Sequence, residues 1–181
     1  MRGIVFAAAL LVASCSPGSS ETSPNASPSA APSSNASARP CFVTSPNGLT
    51  PPGEARSKLN FGNGRVWTVL WPNGLVLVPP DDIGQDGSLV MKFPWWRGPG
   101  VHGHLHIRGH ELILGVPVRA DASGYGTTGF NASGIVFPVE GCDRIRGEAD
   151  GAVLSFVTMV RPCAALAELS PSQRRDYAIC G

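Results

Sequence analysis

The sequence predicts an all-β fold, an antiparallel β-sandwich or barrel of about 7–9 short strands with a short C-terminal helix. Two observations carry that expectation. From residue 40 onward the apolar runs last only about five to eight residues, the length of strands rather than of helices. Of the 22 Gly and 17 Pro residues, 20 and 13 lie in this part and break those runs at regular turn signals. Residues 40–181 have the size of one domain, and no internal repeat is visible.

Residues 41–60 read as a short start followed by a Pro-rich loop. Arg65–Trp71 is the first clear strand, with Trp67, Val69 and Trp71 on one face and both tryptophans assigned to the core. Pro72-Asn73-Gly74 reads as a hairpin turn, which makes Leu75–Val78 the returning partner until Pro79-Pro80 ends it. Asp81–Ser88 is a loop. Its acids lack the alternate spacing and terminal Glu of a calcium-binding loop, so it reads as a solvated turn. Leu89–Phe93 is the next strand, followed by Pro94-Trp95-Trp96-Arg97 and another Gly/Pro break.

Between Val101 and Ala120, Gly109-His110 suits a two-residue type II′ turn, which prefers Gly first. In that register Arg108 faces Glu111, Ile107 faces Leu112 and Leu105 faces Leu114, while His102, His104 and His106 share the opposite face. Asp121–Ser133 is a Gly-rich connection and Ile135–Val139 a short strand. Cys142–Glu148 and Ala152–Val160 form a final hairpin across Ala149-Asp150-Gly151, and the apolar content of its second strand suits burial on both faces. In the tail, Ser170-Pro171-Ser172-Gln173 has the N-cap, N1 proline and N3 glutamine of a capping box, which predicts about two helical turns to Ala178.

Ahead of the domain, residues 1–14 read as a lipoprotein signal peptide. Arg2 is its positive charge, and Ile4–Ala13 is an apolar stretch too short to span a bilayer. Val12-Ala13-Ser14-Cys15 matches a lipobox, so Cys15 is the expected lipidation site and the first residue of the mature chain. Such a cysteine carries acyl chains that anchor the protein to the bacterial cell membrane, on its extracytoplasmic side. Residues 16–39 are rich in Ser, Pro, Ala and Asn, and with Cys15 they read as a disordered linker from 15 to 39.

With Cys15 set aside, Cys41, Cys142, Cys163 and Cys180 remain. An even number in an exported domain suggests two disulfides, and four cysteines allow three pairings. Removing residues 1–14 deletes Arg2 and leaves 13 basic and 13 acidic residues, without the basic excess that nucleic-acid binding needs.

Three strings, GNGRVWTVLWPNG (62–74), SLVMKFPWWRG (88–98) and GYGTTGFNASGIVFPVEGC (124–142), together resemble a group of bacterial secreted proteins and lipoproteins. The resemblance spans roughly residues 41–160. It implies an export signal and a compact β domain, and it carries no established activity. It also implies the pairing Cys41–Cys142 with Cys163–Cys180. The chain departs from the group at Asp143, where the pattern has an aromatic residue, and in its row of histidines.

The candidate chemistry is limited. His102, His104 and His106 alternate, and on a strand they would present imidazoles to one zinc or copper ion. The adjacent Trp95 and Trp96 would point to opposite faces, one into the core and one outward beside Arg97 as a stacking platform for sugars or other ligands. No nucleophile elbow, isolated thiolate or phosphate-binding loop is present, so the expectation is no enzyme and no cofactor. The chain reads as a membrane-anchored β domain with a binding or structural role toward an unknown envelope ligand or protein. The alternative is an envelope metal-binding protein using the histidines.

Overall fold

The computed structural model describes residues 40–180. They form two sheets packed face to face, the sandwich of the two predicted alternatives and not a closed barrel. The strands are β1 (Asn60–Gly62), β2 (Val66–Val69), β3 (Leu75–Val78), β4 (Leu89–Arg97), β5 (His106–Glu111), β6 (Arg119–Asp121), β7 (Gly129–Phe137), β8 (Gly141–Ala149) and β9 (Ala152–Pro162). The first sheet has the order β1-β2-β4-β7-β6 and the second β3-β9-β8-β5.

Alternation along the long strands decides what lies between the sheets. Leu89, Met91, Phe93 and Trp95 of β4 point inward, as do Ile135 and Phe137 of β7 and Leu154, Phe156 and Val160 of β9. Phe93 and Phe156 stack at 5.7 Å, and Trp95 lies 5.9 Å from Phe156. Trp95 crosses the core toward Gly147 of β8, where a Cβ would lie only 2.4 Å from the indole. Of the two tryptophans expected in the core, Trp71 packs against it. Trp67 is also buried, but it points to the outer side of the first sheet, over Gly62 and Gly98.

The β8–β9 hairpin is as expected. Asp150 and Gly151 both have positive φ (49° and 67°), as a type I′ turn requires, and Ala149 faces Ala152. Ser155 on the outer face of β9 is exposed and Val157 is half-buried, so this strand is fully buried on its inner face alone.

Several elements differ from the sequence reading, each for a physical reason. Asn73 and Gly74 do turn with positive φ, but Leu75–Val78 does not return beside β2. It crosses to the other sheet and runs parallel to β9. An all-apolar segment suits that place: Val76 and Val78 face the core, and Leu77 lies beneath the C-terminal tail.

Gly109 is not a turn residue. It sits inside β5, where a Cβ would lie 2.5 Å from the Arg144 carbonyl oxygen, and the chain bends later at Gly115 (φ 71°). Consequently Arg108 faces Arg146, not Glu111. β4 also runs through Pro94 to Arg97. The Pro94 carbonyl faces β2 and accepts from the Thr68 hydroxyl at 2.8 Å, just past the last paired residues Thr68 and Trp95. The missing amide therefore costs no ladder bond. β7 begins at Gly129, six residues earlier than expected.

In the tail the capping box is present, with the Ser170 hydroxyl accepting from the Gln173 amide, but the helix α1 (Pro171–Arg174) makes a single turn. Both bridges form, Cys41–Cys142 and Cys163–Cys180. The second staples the tail, whose Ala165 and Tyr177 cover Leu77 on the outer side of the second sheet. Among the described residues no helix is long and apolar enough to cross a membrane. Residues 1–39, including the signal, Cys15 and the linker, lie outside the described residues.

Candidate functional site

Trp95 and Trp96 separate as strand alternation requires. Trp95 is fully buried, with its indole N–H donating to Ser133 Oγ at 3.1 Å. Trp96 points outward from the first sheet, directly opposite Phe130 of β7. Their rings meet edge to face at 5.3 Å, and Tyr125 continues the row with its ring 6.0 Å from Phe130. Phe130 and Tyr125 keep 46% and 39% of their surface in solvent, so the row is an open apolar wall.

The wall borders a groove of about 370 Å³ that Pro51, Pro52, Glu54 and His102 also line. The Trp96 indole N–H donates to Glu54 Oε1 at 2.9 Å, which fixes the ring and leaves the other carboxylate oxygen to accept from a ligand.

Arg97 holds the groove together from beneath. It is buried at the end of β4, and its guanidinium donates to the carbonyls of Gly103, Gly126 and Thr128. One side chain thus ties two Gly-rich loops into the groove rim. Burial pushes its pKa below the usual arginine value.

The histidines do not converge. β5 starts at His106, and Gly103 (φ 93°) breaks the extended path, so the three imidazoles share no strand face. His102 lines the aromatic groove, while His104 and His106 border a separate hollow of about 360 Å³ beside Ala120 and Ser123. Among the described residues no three His, Cys, Asp or Glu side chains come together as a metal site.

A buried acid pair was not foreseen. Glu111 of β5 lies directly opposite Asp143 of β8, both facing inward and both buried. Glu111 Oε2 accepts from the Ile113 amide at 2.9 Å and from the Leu114 amide. Among the described residues neither oxygen of Asp143 has a partner. Burial, and secondarily the Glu111 charge, pushes the Asp143 pKa up to about 7. The signal in the sequence is the alternation Asp143, Ile145, Gly147, Ala149, which puts Asp143 on the inner side once Ile145 is assigned to the core. Phe130 and Tyr125 gave less warning, because a Gly-rich stretch does not betray which aromatic joins a strand.

The described residues thus define a disulfide-bonded, two-sheet β-sandwich with an aromatic groove on the outer face of one sheet. Comparison with protein-family models, with curated proteins and with solved structures gives no match.

Proposed function

We propose that the chain is a lipid-anchored envelope protein presenting a non-enzymatic binding domain, and that the aromatic groove takes a ring-bearing ligand of the sugar class. The observation that carries the binding role is the outward Trp96–Phe130 pair beside the Glu54 carboxylate. A pyranose presents an apolar C–H face to an aromatic ring and hydroxyls to a carboxylate, which matches this combination. The anchor is supported by the lipobox at Cys15 and by two disulfides, which persist in oxidising compartments.

Two measurements test the parts separately. Radiolabelled palmitate is expected to enter the parent chain in bacterial cells and not the Cys15→Ser variant; an unlabelled parent would remove the anchor, and equal labelling of both would remove Cys15 as its site. For the groove, soluble peptidoglycan-derived oligosaccharides are titrated and read by tryptophan fluorescence. Trp96→Ala and Phe130→Ala are each expected to weaken binding about tenfold. Binding unaltered in both variants would remove the groove from the function.

A further inference from the structure

We propose that the outer face of β8 and β5 in the second sheet docks the domain onto the anionic lipid surface of its own membrane. The C-terminal tail covers the β3 side of that sheet, with Ala165 and Tyr177 over Leu77, and among the described residues nothing covers the β8–β5 side. The bare part is basic. Arg108 lies directly opposite Arg146, and His110 opposite Arg144, all exposed. The one acid in these rows is Glu148, 2.9 Å from Arg146. A chain with 14 basic and 13 acidic residues has thus gathered three arginines on one patch. Like charges directly opposite one another weaken a strand pair, and a negatively charged surface placed against them reverses that penalty.

Beside the arginines is an apolar projection. Phe42, Ile113 and Leu114 are 81%, 56% and 67% exposed. Phe42 and Ile113 line one hollow of about 260 Å³ with Arg144, so the apolar and basic groups share a surface.

The loop that carries Ile113 and Leu114 is held from inside. The Glu111 carboxylate accepts from the amides of both residues, the Gly115 amide donates to the Glu111 carbonyl at 3.0 Å, and the Leu112 amide donates to the Cys142 carbonyl at 2.7 Å. A soluble protein gains nothing by holding two apolar side chains toward water. An interfacial one gains, because the ordering entropy is already met before the side chains enter the headgroup region.

The path of the chain selects a membrane over other anionic partners. Cys41 is bridged to Cys142 on this same sheet, and Pro40 lines the hollow with Phe42 and Ile113. The segment that leads to Cys15 therefore leaves the domain at this patch. The choice of lipid rests on the anchored reading for the nearness of a membrane. The docking itself is testable without the anchor.

The test uses the mature chain from residue 15 carrying Cys15→Ser, mixed with vesicles of 30% phosphatidylglycerol in phosphatidylcholine and, separately, of phosphatidylcholine alone. Binding is expected to be about tenfold or more tighter to the anionic vesicles and to weaken as salt rises. Arg144→Glu/Arg146→Glu and, independently, Ile113→Ser/Leu114→Ser are each expected to lower it at least tenfold, with Arg56→Glu as an unaffected control. All are surface changes, and unaltered circular dichroism and melting verify the fold. No binding to anionic vesicles overturns the docking whatever palmitate labelling shows. Binding that both double variants retain overturns this face. Self-association through the face without vesicle binding replaces the membrane by a second copy. Vesicle binding by the Cys15→Ser chain, with no palmitate entering the parent chain, overturns the anchor and leaves the docking in place.

Discussion

Asp143 has no exposed surface, and among the described residues neither of its carboxylate oxygens meets a donor. Its pKa near 7 in the folded chain compares with about 3.9 when unfolded. Below about pH 4 it is protonated in both states and contributes nothing to pH dependence. Between about pH 4 and 7 the unfolded chain ionises while the folded chain keeps its proton, so stability falls as pH rises. Above about 7 the loss is complete, on the order of 4 kcal/mol. Asp143→Asn is therefore expected to match the parent near pH 4 and to exceed it increasingly up to pH 8 in thermal melts. Parallel melting curves across that range would sink the argument. At the opposite end of the core, the Trp95 indole occupies the space above Gly147. Gly147→Ala forces one of two packed sheets to shift and is expected to lose about 1–3 kcal/mol in denaturant titration. A neutral result would mean that the indole yields.

Elements were legible where local chemistry and tertiary context agreed. The Asp150-Gly151 turn, the alternation of β9 and the Ser170 capping box are local features, and all three are present. The failures come from glycine and proline, whose local meaning is ambiguous. Gly109 has the composition of a turn but is glycine because the Arg144 carbonyl passes within 2.5 Å of the missing Cβ. The turn expected there hid the opposition of Arg108 and Arg146, and Gly103, which breaks the extended path ahead of β5, ends the histidine row. Pro94 has the composition of a break but lies where β4 needs no amide. In the groove, alternation sends Trp95 and Trp96 to opposite faces without saying which is outward, and the partners of Trp96, Phe130 and Glu54, are 34 and 42 residues away in sequence with no local rule to link them. The tail is an element whose attachment is testable. Cys163→Ala/Cys180→Ala opens a bridge between residues 17 apart, worth roughly 3 kcal/mol in chain entropy. Limited proteolysis of that variant is expected to remove the tail first and leave the β8–β9 hairpin intact. Equal protease resistance of variant and parent would show that Leu77 and Tyr177 hold the tail without the bridge.

At the scale of the molecule the sandwich has two unlike outer faces. The first sheet carries Trp96, Phe130 and the groove, and the second carries the arginines, the apolar loop and the exit of the N-terminal segment. Two sheets packed face to face point their outer sides in opposite directions. A domain lying on lipid by its second sheet therefore turns the groove away from the membrane, toward whatever fills the envelope beyond it. The distribution of basic residues offers a direct check. The only lysines are Lys58, in the loop before β1, and Lys92, on the outer side of β4, so among side chains amine reagents label none on the second sheet. Arginine reagents reach Arg108, Arg144 and Arg146 on the second. On addition of anionic vesicles, labelling of Lys58 and Lys92 is expected to stay constant. Labelling of Arg144 and Arg146 is expected to fall severalfold, read residue by residue by mass spectrometry. Protection of Lys92 with the arginines left reactive would invert the orientation and place the aromatic groove against the membrane.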